Sequence, residues 1–390
     1  MRVLLAFDKF KDSLTAPAAC AAASSALRAR HPDWTIDECP LADGGEGFCD
    51  ILTRAAGGVF ISALVTGPRG AQVEGRIGLV AVSRVPEPAR ALLQLPALSS
   101  GTEVSAARIA VIEMASASGL ALLSTAERDL WQTTTAGAGE LIHLAASHGA
   151  VALLLGVGGS ATNDLGLGAL DALGLRCLSG SGLPVSPPVP ARWREIARMT
   201  GGVPRGLPPL RIACDVTNPL LGSRGAAAVY GPQKGLRTED LARLDHECAR
   251  LGLMLCAHSS RPDSLMDAPG AGAAGGIAFG LMAAAGARLL PGFDLVSAWL
   301  DLDSRLAAAD LVITGEGRFD DSSLQGKGPG AVASQALALG KPVQVFAGRA
   351  SVAQPPPQLR LHSITPPDLP LAEALPRAGE LLAHAVREAI

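Results

Sequence analysis

Val3-Leu4-Leu5-Ala6-Phe7-Asp8-Lys9-Phe10-Lys11-Asp12-Ser13-Leu14-Thr15 opens the chain with an apolar run that stops abruptly at a charged turn. Such a short apolar run, bounded by a turn, reads as a strand. Thr15–Arg30 follows with Ala-rich, helical composition. Ile36–Leu41 reads as a second strand and Gly47–Ala56 as a second helix. The same rhythm returns at the far end of the sequence. Leu311–Thr314 and Val343–Ala347 read as strands, Gly330–Leu339 as the helix between them, Leu361–Ile364 as a weaker strand and Leu371–Glu388 as a closing helix. Five short strands separated by helices match an α/β fold, the flavodoxin-like doubly wound parallel sheet.

Between these ends, residues 59–290 carry strand candidates of their own at Phe60–Val65, Ile109–Met114, Val151–Gly156 and Arg211–Val216. The expected organisation is therefore a flavodoxin-like α/β domain made of 1–58 and 291–390, with a second α/β domain, 59–290, inserted in it. A length of 390 residues fits two cores better than one. Val80–Ala107, with Pro86, Pro88, Pro96 and Ser99-Ser100-Gly101, and the Pro- and Gly-rich Ser179–Pro209 read as surface loops.

Composition narrows the function. With 33 Lys and Arg against 36 Asp and Glu, the formal charge is -3, which argues against a nucleic-acid binder. Charged residues are 18%, below the roughly 25% usual for soluble domains, and aromatics only 3%. The core must therefore be built from Ala, Leu, Val and Ile. The cysteines at 20, 39, 49, 177, 214, 248 and 256 include no Cys-x-x-Cys pair, which fits a reducing compartment rather than disulfides or structural zinc. A charge as early as Asp8 argues against a signal peptide. The longest uncharged run, Ala268–Ala287, is rich in Gly and Ala and reads as a glycine loop plus a buried helix, not a membrane span. The expected location is cytoplasmic, with no membrane partner; homo-oligomer formation is left open.

Four glycine clusters carry acids or hydroxyls. They are Ala42-Asp43-Gly44-Gly45-Glu46-Gly47, the run Gly156-Val157-Gly158-Gly159-Ser160-Ala161-Thr162-Asn163-Asp164, the turn Gly315-Glu316-Gly317-Arg318-Phe319-Asp320, and Pro269-Gly270-Ala271-Gly272-Ala273-Ala274-Gly275-Gly276. Any one of them is explained by a tight turn. Three directly after strands is a different matter, because ligands of open α/β sheets bind beyond the carboxyl ends of the strands. Glycines there expose backbone N–H groups, which suit phosphate. The acids Asp43, Glu46, Asp164, Asp215, Glu316 and Asp320 could hold a divalent cation or cap helices. Lys9, Lys11, Lys234, Arg318 and Lys327 are the cations near these turns. Glycine loops, strand-end acids and nearby cations together suit phosphoryl transfer, where charge neutralisation matters most.

Rival signatures are weak. No Gly-x-x-x-x-Gly-Lys-Ser/Thr occurs, which argues against a P-loop enzyme. Gly156-Val157-Gly158-Gly159-Ser160-Ala161 fits the dinucleotide pattern loosely, but the acid expected about 20 residues on is missing from Gly174–Gly182. Cys214 has no adjacent His, which argues against a thiol nucleophile. A non-catalytic sensor would need glycine loops but not the full set of acid-bearing turns.

The order of longer motifs resembles bacterial glycerate kinases of the glycerate 2-kinase type, over nearly the whole chain. The resemblance rests on Phe7-Asp8-Lys9-Phe10-Lys11-Asp12-Ser13, Pro40-Leu41-Ala42-Asp43-Gly44-Gly45-Glu46-Gly47, Thr66-Gly67-Pro68, Ile112-Glu113-Met114-Ala115-Ser116-Ala117-Ser118-Gly119 and Gly139-Glu140-Leu141-Ile142. It continues through the 158–164 and 269–276 clusters, Ala213-Cys214-Asp215-Val216-Thr217-Asn218-Pro219, Tyr230-Gly231-Pro232-Gln233-Lys234-Gly235 and Ile313-Thr314-Gly315-Glu316-Gly317-Arg318. It implies a two-domain protein with its active site in the interdomain cleft, using ATP, Mg²⁺ and D-glycerate. Phe48, Leu165 and Ala136 depart from the family's usual residues.

On this reading the loops holding Gly158, Gly159 and Ser160, and Gly272, Gly275 and Gly276, carry ATP phosphates or the glycerate carboxylate. Lys11 or Arg318 supplies the cation for that carboxylate. Asp215 is the expected base for the attacking hydroxyl, and Asp43 or Glu316 the expected Mg²⁺ ligand. Asp8, Ser13, Asn163, Asn218 and Lys234 complete the expected binding set. Asp8, Asp43, Asn163, Asp215 and Glu316 are expected to line one cleft.

Overall fold

The computed structural model of the protein describes residues 1–95, 107–324 and 328–390. Lys327 and positions 96–106 of the expected Val80–Ala107 loop lie outside the described residues. Two compact units result: Met1–Asp43 together with Val296–Ile390, and Gly44–Leu295.

The first unit is built on a five-stranded sheet in the order Thr35–Glu38, Arg2–Phe7, Leu311–Gly315, Val343–Ala347, Leu359–Ser363, all parallel. Numbered along the unit, the order is 2-1-3-4-5. Val3 pairs with Leu311 and Phe7 with Gly315. All five residues of Val3–Phe7 are buried, as a continuous apolar run in a parallel sheet requires. Val3, Leu5 and Phe7 share a core with Ala19, Cys20, Ala23, Leu27, Leu382 and Val386. These come from the helices Ala16–Arg30 and Ala378–Ala389, which pack on each other. The first of these helices starts where Thr15 Oγ1 accepts the N–H of Ala18, and Pro17 sits in its first turn, where no N–H is needed.

The second unit has a six-stranded sheet in the order Arg288–Leu290, Leu210–Ala213, Ala152–Gly156, Arg108–Glu113, Gln72–Ala81, Val59–Thr66. The first four are mutually parallel, and Gln72–Ala81 pairs antiparallel with both of its neighbours, Arg108–Glu113 and Val59–Thr66. A tight turn at Gly67–Ala71, with Gly70 at φ +86°, joins Val59–Thr66 to Gln72–Ala81.

Four sequence-based expectations change. Gln72–Ala81 is a long strand where none was expected; it takes up Val80 and Ala81, and Glu87–Leu93 forms a helix inside the supposed loop. Ser179–Pro209 is not simply loop: Leu175–Ser179 pairs antiparallel with Ile196–Gly201, and the short helix between them buries Trp193, whose Nε1 donates to Pro188 O. Phe48–Ala55 packs against Gln72–Ala81 and Arg108–Glu113, so it belongs to the second unit rather than with 1–58. The cause is local: Cys49 Sγ donates to Val111 O, and Glu113 accepts the N–H groups of Gly47 and Cys49 at the start of that helix. The closing helix breaks in two around Leu375–Arg377, where Pro376 removes a helical donor.

Ile313 is fully buried in the middle of the five-stranded sheet. Ile313→Ala is expected to cost about 2–5 kcal/mol, read as a lowered denaturation midpoint; an unchanged midpoint would count against this packing.

Candidate active site

The carboxyl ends of the first unit's strands meet at one cavity of about 1000 Å³. Asp8 follows Phe7, Glu316 follows Gly315, Gly348 follows Ala347, and Ser363 ends the last strand. All four line the cavity, together with Asp43, Lys11 and Ser13. Of the five residues expected to line one cleft, Asp8, Asp43 and Glu316 line this cavity. The loop that carries Asp8 is pinned at both ends: Asp8 N donates to Gly315 O at 3.0 Å and Phe10 N donates to Leu14 O at 2.8 Å. The Ser13 hydroxyl donates to Phe10 O, which gives it a place in the turn. Lys11, Arg318 and Arg349 are exposed at the cavity, and Arg318 Nε lies 3.0 Å from Asp320 Oδ2. Lys9 Nζ lies 3.2 Å from Asp43 Oδ1.

The acids of this cavity repel one another. Burial pushes Asp8 up to about 6 and the Asp43 charge adds to the push, against Lys9 and the Lys9 backbone N–H. Glu316 is pushed up to about 7, first by burial and then by Asp8, Asp320 and Asp43, with a Ser323 hydrogen bond opposing. Like charges converging in a partly buried pocket are a mark of sites that bind cations or move protons. Among the described residues, no three His, Cys, Asp or Glu side chains form a ready-made metal cage.

In the second unit the expected residues are occupied differently. Asp215 is half-buried, and its Oδ1 accepts the N–H of Gly292 at 2.9 Å and its Oδ2 that of Phe293 at 2.8 Å. Both donors stand at the start of the helix Gly292–Trp299, so the carboxylate acts as a cap there. Asn163 is fully buried, with Nδ2 3.5 Å from Cys248 Sγ, and so does not line a cleft. Asn218 holds a local turn, donating to Arg224 O and accepting from Tyr230 OH. The glycines serve close packing. Gly158 N donates to Gly44 O, and a Cβ there would come within 2.6 Å of Gly45 Cα. Gly272 N donates to Asn218 O. Gly275 and Gly276 are buried with positive φ, and a Cβ on Gly275 would strike the Thr162 carbonyl oxygen. Gly272, Gly275 and Gly276 thus pack closely against neighbouring backbone and side chains. Gly159, at φ +73°, remains exposed. The run 156–161 does not open a helix, since the next one starts at Leu167, so the dinucleotide pattern lacks its context.

Lys234 and Ser160 do come together. The fully buried Lys234 donates to Ser160 Oγ at 2.8 Å and Thr162 O at 2.7 Å. Burial pulls its ammonium down to about 7, against the nearby Asp164 charge. Asp164 is itself buried, accepting from Thr135 N and Oγ1, Gly166 N and Gly168 N. Two motifs prove to be struts: Glu140 accepts both the N–H and the hydroxyl of Thr66.

With this geometry in place, the comparisons with known proteins are decisive. The profile of the glycerate kinase family matches residues 3–390. The chain belongs to the glycerate kinase family. A glycerate kinase of Bacillus subtilis is 37% identical over 396 aligned positions, spanning 100% of this chain and 96% of the relative. A glycerate 2-kinase of Escherichia coli K12 is 36% identical and covers 89% of this chain and 85% of its own length. A solved structure described as a glycerate kinase 2 from Salmonella typhimurium LT2 superposes with a TM-score of 0.73 at 36% identity, covering 100% of this chain and 97% of that one. This glycerate kinase family member is therefore a mixed α/β enzyme with parallel sheets. No helix among its described residues is long and apolar enough to cross a membrane.

Sequence reasoning missed Arg349 and the residues between Ser363 and Leu381 that line the cavity, among them Ile364, Leu369, Leu371 and Leu375, which read as ordinary strand end and helix. The position of Arg349, two residues past the end of a parallel strand, was the available signal.

Two outcomes follow from the second unit. Asp215→Ala should destabilise by the ~0.5–2 kcal/mol of a lost cap, read as a lower melting temperature, while kcat stays within a few-fold; a loss of ~10² or more in kcat with unchanged melting would assign Asp215 to catalysis. The folded-state pKa of Lys234 lies below its ordinary value of 10.5. Between about 7 and that value the unfolded chain holds more protons, so stability should rise with pH. Denaturation of wild type and Lys234→Met from pH 7 to pH 9 checks this: the wild type should gain relative to the variant.

Proposed function

We propose that this chain transfers the γ-phosphoryl group of ATP to the 2-hydroxyl of D-glycerate, giving 2-phosphoglycerate, by direct in-line displacement. Family membership makes it an ATP-dependent kinase of glycerate. The name of the Escherichia coli relative supports the 2-position. The observation that carries the reading is the mixed-charge cavity at the carboxyl edge of an all-parallel sheet. The strand order 2-1-3-4-5 supports a flavodoxin-like doubly wound domain, whose ligands sit at that edge. We take the two compact units as the enzyme's domains, with Gly44–Leu295 inserted.

The roles divide by chemistry. Lys11 and Arg318, joined by Arg349, neutralise the phosphoryl oxygens and the substrate carboxylate. Asp8 replaces Asp215 as the base. It lies in the cavity, and burial together with Asp43 brings its proton affinity close to neutral pH, where a general base works best. Asp8 accepts the hydroxyl proton as the substrate oxygen attacks phosphorus and ADP leaves. Asp43 raises the proton affinity of both Asp8 and Glu316, and the convergence of these acids fits a divalent cation. Mg²⁺ commonly takes only one or two carboxylates beside phosphate oxygens and water. Asp43 and Glu316 would hold it, and when bound it supplies charge neutralisation on the phosphates. In the second unit, Ser160 backed by Lys234, with exposed Gly159, is the remaining anion-binding candidate.

A coupled ADP-release assay with D-glycerate should show turnover that depends on both glycerate and Mg²⁺. Asp8→Asn should lower kcat at least ~10²-fold with folding intact, whereas wild-type turnover in that variant would remove Asp8 as the base.

A further inference from the structure

The cavity of the first unit is polar at one end and apolar at the other, and the sheet order sets the direction. Along the edge, strands 2, 1, 3 and 4 deliver Asp43, Asp8 to Asp12, Glu316 to Arg318, and Arg349. Every charged group lining the cavity comes from these four loops. Beyond strand 5 the lining changes: Ile364, Pro366, Pro367, Leu369, Leu371 and Leu375 take over. Neighbouring strands lie about 4.8 Å apart, so strand 5 stands roughly 14 Å from strand 1. Leu371 is 68% exposed and lines the cavity beside the other apolar residues of this end. A three-carbon hydroxyacid has nothing to place on such a wall, and a cavity of about 1000 Å³ would leave it mostly surrounded by water.

We infer that the wall formed by Ile364, Leu369, Leu371 and Leu375 binds the base and ribose of the nucleotide, with its phosphates pointing along the sheet edge toward Lys11, Glu316 and Arg318. A nucleoside polyphosphate has this polarity: a flat apolar base at one end and a chain of anionic groups at the other. The charged loops lie around strands 1 and 3, where consecutive connections leave in opposite directions and open α/β sheets form their binding crevice. The assignment rests on the kinase reading above but adds to it which part of the chain recognises the nucleotide and by what contact. It gives the nucleotide to the first unit, whereas glycine clusters alone would have placed it in the second.

The test uses the full-length protein and binding probes that need no turnover. Isothermal titration should show ADP binding at least ~10-fold more tightly than pyrophosphate, because only ADP can use the wall. Leu371→Glu should reduce that gap to about twofold or less without affecting pyrophosphate. Since Leu371 is exposed, the variant should fold as the wild type does, and circular dichroism checks this. Leu375→Glu, at a half-buried position, should act in the same direction. In steady-state assays both variants should raise KM for ATP at least ~10-fold and move KM for D-glycerate less than ~2-fold. Equal affinity for ADP and pyrophosphate in the wild type, or an unchanged gap in Leu371→Glu, would overturn the inference and leave the kinase reading standing. Tight ADP binding lost in Leu371→Glu, with no glycerate-dependent ADP release by the wild type, would leave the wall and remove the kinase reading.

Discussion

The pairing of Arg2–Phe7 with Leu311–Gly315 governs the rest of the first unit. It joins residues about 300 positions apart and sets Asp8 beside Glu316 at the same edge. Two hydrogen bonds lock its carboxyl end: Thr314 Oγ1 donates to Ala6 O at 2.6 Å, and Asp8 N donates to Gly315 O at 3.0 Å. Gly315 is required there, because a Cβ would run into the Phe346 carbonyl oxygen on the next strand. A connection this long is tolerable because closure entropy grows only logarithmically with length, and because Gly44–Leu295 forms a compact unit of its own.

Hydrogen bonding separates the acids into two kinds. Asp164 accepts four donors, Glu113 two backbone N–H groups and Asp215 two more, so these carboxylates are consumed in holding loops and helix starts. Burial raises Glu113, Asp164, Asp8 and Glu316 alike, but Asp8 and Glu316 are raised further by the acids that share their cavity. A protein that keeps buried like charges together at a cavity forgoes stability there, as functional sites commonly do. Several glycines of the second unit serve close packing of backbone on backbone. With aromatics at only 3% of the chain, close approach of backbone to backbone supplies much of the packing, and Gly158 against Gly45 is an instance.

The sequence alone was sufficient for the parallel α/β character, for the strands that build the first unit, for the family resemblance, and for the presence of Asp8, Asp43, Glu316, Lys11 and Arg318 near a common edge. Apolar runs ending at charged turns carry that information locally. It could not show Gln72–Ala81 as a strand, because Gly75 and Gly78 dilute its β-propensity and only pairing with both neighbours, Val59–Thr66 and Arg108–Glu113, sustains it. Nor could it tell the Asp215 cap from a base: both are strand-end carboxylates, and the deciding N–H groups come from a helix 77 residues further on. The apolar wall at 364–375 was hidden for a similar reason. Leu and Pro residues there read as ordinary core or turn, and only the tertiary structure decides that Leu371 is left exposed at a charged cavity rather than buried. Local composition determines which segments become strands and helices; the partner each side chain meets is decided by contacts between segments far apart in the chain.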